Sequence, residues 1–349
     1  MSRWGEQMGA PARPTNIIWD VTYACPLRCV HCYSESGRRP TRQLSLNEQL
    51  RVADSIIELQ PEMVALAGGE PLVVKGIFEV AERLSQAGIH VVCYSGGWPV
   101  KPDLVEKLMH CCDTVTISLD GATAEVHDQI RGRTGSFARA MAALRMLDDA
   151  VRAGGPPGFR FGIDTVVVRS NFDDLEQMCT SITTLFPALK SLDLGAVIPA
   201  GLASRSGFAE HELLSESQME QMGSAAWAHH LQSIAPQSVT VTCTDNLDLQ
   251  MNPVHGFDDF TALQIEPDGE VRAMPVYEGT VGSLLTESGE TLWHRAIERW
   301  SHPFITETLS PVRTVEEWAA ATRLIDYRFG SEAVRARIDQ RPQFFGVPG

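Results

Sequence analysis

The 349-residue sequence sets 29 lysines and arginines against 44 aspartates and glutamates, a formal charge of −15. So acidic a chain without a long basic block is ill suited to the phosphate backbone of nucleic acid. No apolar run approaches the roughly 18 residues of a membrane span, and residues 1–16 hold two arginines but no apolar segment of a secretory signal. These observations lead us to expect a cytoplasmic protein with neither a nucleic-acid nor a membrane partner.

In chain order, short β-branched runs at residues 17–22, 63–67, 90–95, 114–119, 161–168 and 191–197 read as strands. Between them, apolar residues at helical spacing predict helices over 47–59, 76–86, 102–110, 137–153 and 173–185. Ser45 with Glu48 forms a capping box that opens the first helix. Strand–helix units of about 30 residues argue for a parallel sheet with right-handed crossovers. Six such units predict an α/β fold, a partial (β/α)6 TIM barrel over residues 17–235. After Pro236 the pattern changes. Residues 239–242 and 262–266 read as strands, and the turn Pro267-Asp268-Gly269-Glu270 predicts a hairpin with 271–274. Helices are expected over 291–300, 316–328 and 332–341, with a capping box at Thr314 and Glu317. Residues 236–349 therefore read as a small α+β C-terminal unit, and 1–16 as an N-terminal segment.

Eight cysteines in a chain of this kind point to metal or catalysis before disulfides. Three of them, Cys25, Cys29 and Cys32, stand in Cys25-Pro-Leu-Arg-Cys29-Val-His-Cys32 directly after the first strand. That places them on the first βα loop, at the sheet face where active sites of such folds collect. Three thiolates can bind three irons of a [4Fe–4S] cube and leave the fourth iron open. A three-ligand zinc site with His31 nearby is the alternative, although zinc ligands usually come as separated pairs. Gly68-Gly69-Glu70-Pro71 follows the second strand. There glycines allow close approach of backbone to a ligand, and carbonyl or carboxylate oxygens can accept from an ammonium.

The CxxxCxxC loop with Gly-Gly-Glu-Pro behind it resembles the radical S-adenosylmethionine (SAM) superfamily. The resemblance implies one [4Fe–4S] cluster on Cys25, Cys29 and Cys32, with S-adenosylmethionine at the open iron. It places His31 against the adenine, where relatives usually carry an aromatic residue, and Gly68, Gly69, Glu70 and Pro71 around the cofactor's amino group. Ser118-Leu-Asp120 and Arg131 resemble the fourth-strand region of the branch with SPASM or twitch extensions. By that likeness Ser118 and Arg131 hold the methionyl carboxylate and Asp120 lies near the ribose. Ser95 stands where relatives have threonine. Residues 265–271 and Leu292-Trp293 extend the likeness to a degenerate SPASM or twitch-like C-terminal domain. The cysteines that would flank its hairpin are missing, with Met274 at one position and the other gap near His255-Gly256, so no auxiliary cluster is expected.

The resemblance further implies an enzyme that takes one electron from an external donor of flavodoxin or ferredoxin type and abstracts hydrogen from its substrate. Size and pattern look similar to the cytosylglucuronate decarboxylases of peptidyl-nucleoside antibiotic pathways, which implies a small-molecule substrate and loss of carbon dioxide. A substrate carboxylate wants a cationic partner, and Arg205 after the sixth strand is the expected one. A ribosomal-peptide maturase is the alternative, and a non-catalytic iron–sulfur or zinc protein the third reading. Cys243 is either a hydrogen donor or a small buried residue.

Overall fold

The computed structural model describes residues 12–40, 42–255 and 260–347. Most of the expected N-terminal segment, and Gly256, lie outside them. No described helix is long and apolar enough to cross a membrane.

The fold is α/β and is organised around one ten-stranded, largely parallel sheet. Its strands are β1 (Asn16–Thr22), β2 (Met63–Gly68), β3 (His90–Ser95), β4 (Thr114–Ser118), β5 (Arg160–Val167), β6 (Ser191–Ala196), β7 (Thr240–Thr244), β8 (Ala262–Ile265), β9 (Glu270–Arg272) and β10 (Thr280–Ser283). They lie in the order β10-β9-β8-β1-β2-β3-β4-β5-β6-β7. The sequence pattern predicts six parallel strands, but the sheet continues past residue 236 on both sides. β7 pairs parallel with β6 at one edge, and β8 pairs parallel with β1 at the other, Asn16 opposite Ala262 and Trp19 opposite Ile265. The hairpin at Pro267–Glu270 forms as expected, antiparallel between β8 and β9, with Gly269 at φ 86°.

Side-chain alternation explains why this sheet has a filled face and a hollow one. On one face Val64, Leu66, Val91, Cys93, Val115, Ile117, Phe161, Ile163, Leu192 and Leu194 are fully buried. They join one core with Val52 and Ile56 of α1 (Leu46–Leu59), Val80 and Leu84 of α2 (Ile77–Gln86), Leu108 of α3 (Pro102–Cys111) and Leu144 and Leu147 of α5 (Ser136–Arg152). Each such side chain contributes roughly 1.5–3 kcal/mol. The alternate positions carry small or polar residues, among them Ala65, Ala67, Ser118 and Asp164, and these line a cavity.

Both capping boxes are present, at Ser45/Glu48 and at Thr314/Glu317. Two helical expectations change. A short α4 (Ala124–Arg131), capped by Thr123, precedes α5. Residues 169–185 form a broken run of 3-10, α and π turns rather than one helix. There Thr180 and Thr183 turn their hydroxyls onto the carbonyls of Glu176 and Cys179, back-bonds that distort a helix.

At the other end of the chain, the β8–β9 hairpin and the helices Gly289–Trp300 and Val315–Phe329 bury Trp293, Trp300 and Trp318. Arg272 is fully buried among them and donates to Glu266 at 2.9 Å. Burial alone would lower its pKa, but Glu278 and its other acidic neighbours hold it well above the usual arginine value.

Candidate active site

The loop after β1 is held in shape before any ligand is considered. Its backbone bonds to the end of α4, with Arg28 N–H on Arg131 O at 3.0 Å and Val30 N–H on Ile130 O at 2.9 Å. Arg28 donates to the carbonyls of Cys25 and Leu27, and Arg133 to that of Pro26. The loop after β6 lies directly on it: Leu202 N–H reaches Cys32 O at 3.1 Å, and a Cβ on Gly201 would stand 2.0 Å from Tyr33 O.

This scaffold presents Cys25, Cys29 and Cys32 to one cavity of about 390 Å³. Backbone N–H groups of Leu27 and Ser36 face the sulfurs of Cys25 and Cys32 at 3.4 and 3.3 Å, and Arg131 Nη1 lies 3.9 Å from Cys29 Sγ. Burial pushes the Cys25 thiol up to about 12 and the Cys29 thiol up to about 11, and the neighbouring thiols add to both shifts. Three thiolates here would be costly unless cationic iron sat among them. Donors aimed at sulfur stabilise the thiolates that hold an iron–sulfur cluster. Among the described residues no three His, Cys, Asp or Glu side chains converge as ligands of a single metal ion. The three thiols on one cavity, with donors aimed at their sulfurs, fit a cluster with one thiol per iron.

Opposite the thiols, Gly68, Gly69 and Glu70 line the same cavity. Gly68 (φ 109°) and Gly69 are packed so tightly that a Cβ would fall 2.5 Å from Thr22 O or 2.3 Å from Ala24 O. Glu70 accepts from Ser95 Oγ at 2.9 Å, from Gly96 N–H at 2.9 Å and from Leu72 N–H at 3.3 Å. Ser95 and Glu70 thereby stitch the β2 and β3 loops together. Burial pushes the Glu70 carboxyl up to about 7, against these hydrogen bonds. Pro71 opens a short 3-10 turn behind the motif and is buried outside the cavity wall.

His31, Ser118 and Arg131 also reach the cavity, but Asp120 does not line it. Asp120 is fully buried, and both its oxygens are occupied: by Arg131 Nη2 at 2.7 Å, Val166 N–H at 3.0 Å and His31 Nε2 at 2.9 Å. It sits behind the wall and orients His31 and Arg131. Arg205 likewise lies outside this cavity, buried beside Phe208 and Phe344. Cys243 turns its thiol to Met222 O at 3.4 Å, Met274 is buried, and His255 is exposed at the end of a 3-10 turn.

The sequence reading missed Asp164. It lines the cavity with Tyr94, and no described residue donates to its carboxylate. The available signal was an aspartate inside a β-branched strand, where aspartate is depleted. Burial pushes Asp164 up to about 7, partly opposed by Arg131. Between the ordinary carboxylate pKa and about 7 the folded state keeps a proton the unfolded chain has lost, so stability falls as pH rises through that window. Asp164→Asn removes this cost. The variant is expected to gain on the order of 1–2 kcal/mol at pH 8.5, discounted for water in the cavity, and nothing at pH 4. Urea denaturation at the two pH values checks it, and equal effects at both would refute the assignment.

Residues 19–181 match the model of the Radical SAM superfamily. An AdoMet-dependent heme synthase of Methanosarcina barkeri is 30% identical over 239 residues, 66% of this chain and 62% of that protein. A mycofactocin maturase of Mycolicibacterium smegmatis is 37% identical over 166 residues, 47% of this chain and 40% of the relative. The matched part of the chain thus spans less than two thirds of either. In fold, the chain resembles Streptococcus suis SuiB bound to S-adenosylmethionine, with a TM-score of 0.65 at 12% identity over 95% of this chain and 79% of the other. With the family match falling on the thiol loop and the Gly-Gly-Glu-Pro turn, residues 19–181 are similar to the radical SAM superfamily of enzymes, whose cofactors are a [4Fe–4S] cluster and S-adenosylmethionine.

Proposed function

We propose that the chain abstracts a hydrogen atom from a substrate carbon in the cavity beneath the thiol loop. The observation that carries this reading is a shared wall: the three thiols, the Gly68–Glu70 turn and the free carboxyl of Asp164 all line one cavity. When bound, the cluster and S-adenosylmethionine supply one-electron cleavage of the sulfonium bond and a 5′-deoxyadenosyl radical. The chain's residues bind and shield. Cys25, Cys29 and Cys32 hold the cluster. Backbone oxygens of the glycine turn and the carboxylate of Glu70 accept from the cofactor's ammonium. Ser118 and the Nη1 edge of Arg131, beside Cys29, receive its carboxylate, and His31 and Ser95 close the sides. An external one-electron donor is required.

For the substrate, the maturase relatives favour a peptide. Sugar-nucleoside decarboxylation, the small-molecule reading, needs a cation facing the substrate carboxylate. The lining groups His31 and Arg131 are both held by Asp120. The test is 5′-deoxyadenosine formation by anaerobically reduced, cluster-loaded protein with a panel of short peptides or with cytosylglucuronate. Stimulation by a peptide supports the favoured reading. Stimulation by the sugar acid with carbon dioxide release replaces it with the decarboxylase. No cleavage by protein verified to hold four irons would overturn both.

A further inference from the structure

Arg205 has an unusual environment for a cation. Only 8% of its surface is exposed, and its Nε is sealed from solvent. None of its guanidinium nitrogens has a hydrogen-bond acceptor among the described residues. Its contacts are ring faces, with Phe344 4.6 Å and Phe208 5.5 Å from the guanidinium carbon. Stacking engages the face of a guanidinium, whereas its N–H donors point outward in the plane, so the rings leave the donors free. Burial pushes its pKa down to about 10, and neighbouring Arg38 pushes the same way.

Glu35 opposes these shifts, but it is shared with other cations. Arg341 donates to Ser204 Oγ at 3.0 Å, and Arg323 donates to Ser204 O. The one nearby acid, Glu35, already accepts from Arg337 at 3.0 Å and from Arg341 at 2.7 Å. In a chain of charge −15 this is a local cluster of cations. The Arg205 Nε is a buried donor without an acceptor, which is unfavourable and calls for an anion.

The position suits a ligand of the radical site. Arg205 ends the turn Gly201–Ser204, whose Leu202 bonds to Cys32 O. The C-terminal segment covers it, held by Phe344 N–H on Ser206 O at 2.9 Å.

We infer that Arg205 anchors an anionic oxygen group of the substrate, a carboxylate or a phosphate, beneath Phe344, outside the thiol-lined cavity and on the loop that packs against Cys32. The inference rests on the hydrogen-abstraction reading for the word substrate, but the anion site itself is tested without turnover. Isothermal titration of cluster-loaded protein with acetate and with inorganic phosphate reads the site directly. One of the two is expected to bind saturably and to weaken with added salt. Arg205→Met keeps the stem against the rings and is expected to weaken binding at least tenfold, with Arg205→Lys between the two. Tighter acetate identifies a carboxylate, and tighter phosphate a phosphate ester.

Absence of saturable binding to the wild type, or equal affinity in Arg205→Met, would overturn the inference. So would parallel loss of S-adenosylmethionine affinity, because the anion would then be the cofactor's. Should Arg205→Met fail to fold, Arg205→Lys and the wild-type salt dependence still decide. Absence of anion binding to a wild type that still cleaves S-adenosylmethionine sinks this inference alone. Intact anion binding without cleavage sinks only the hydrogen-abstraction reading.

Discussion

Cys29→Ala protein, reconstituted with iron and sulfide, is expected to hold fewer than four irons and to lose 5′-deoxyadenosine formation on the order of a thousandfold or more. The effect is large because three thiols act as one unit: with one missing, an iron loses its only protein ligand and the remaining corners do not compensate. Cys29 is the most informative of the three, since it is the buried one and faces Arg131. Its removal leaves the loop standing. The backbone bonds from Arg28 and Val30 to α4, and those from the Arg28 and Arg133 side chains to loop carbonyls, do not involve the sulfur. The metal-free variant should therefore melt within about 1 kcal/mol of the metal-free wild type, a small cost for a side chain of this size. Iron analysis, thermal denaturation and product quantification separate the possibilities. Four irons with undiminished cleavage would show that the cluster is held elsewhere.

The thiol loop and the glycine–carboxylate turn were legible because their meaning is local: a spacing of three and two residues, and a turn directly after a strand. The capping boxes were legible for the same reason. What the sequence concealed depends on contacts between distant segments. A strand such as Ala262–Ile265 reads alike whether it closes a small hairpin or also extends the main sheet beside β1, and it does both. The helix expected over 173–185 kept the right apolar spacing, but its threonine hydroxyls compete for backbone carbonyls. Asp120 shows the limit at the site itself. Its type and place were apparent, yet its engagement by His31, Arg131 and Val166 depends on three other segments, so its support of two cavity-lining groups could not be read from the sequence. Arg205 shows the reverse: a loop arginine by sequence, it is buried because Phe344 arrives from the far end of the chain.

Arg131→Met should be among the most damaging single substitutions near the site. It leaves Asp120 fully buried with only His31 and one backbone N–H, and breaking a buried pair from one side costs about 3–5 kcal/mol. Burial alone would raise the Asp120 pKa; Arg131 and His31 more than offset it and hold the carboxyl well below the usual carboxylate range. A depressed folded pKa means the wild type keeps this stabilisation at every pH above the unfolded carboxylate value and loses it only as pH falls through the folded pKa. In the variant burial is less opposed, the folded pKa rises, and the cost is greatest at neutral pH. The gap between the two proteins should therefore shrink as pH falls from 7 to about 4, where the unfolded carboxylate titrates. Adding Asp120→Asn removes the stranded charge and should recover more than half of the lost stability, a coupling that a double-mutant cycle in urea measures. It should not recover S-adenosylmethionine affinity, because the Nη1 edge beside Cys29 is still gone. A single-variant cost below 1 kcal/mol, or no recovery in the double variant, would mean that the Asp120–Arg131 pair does not support this wall of the cavity.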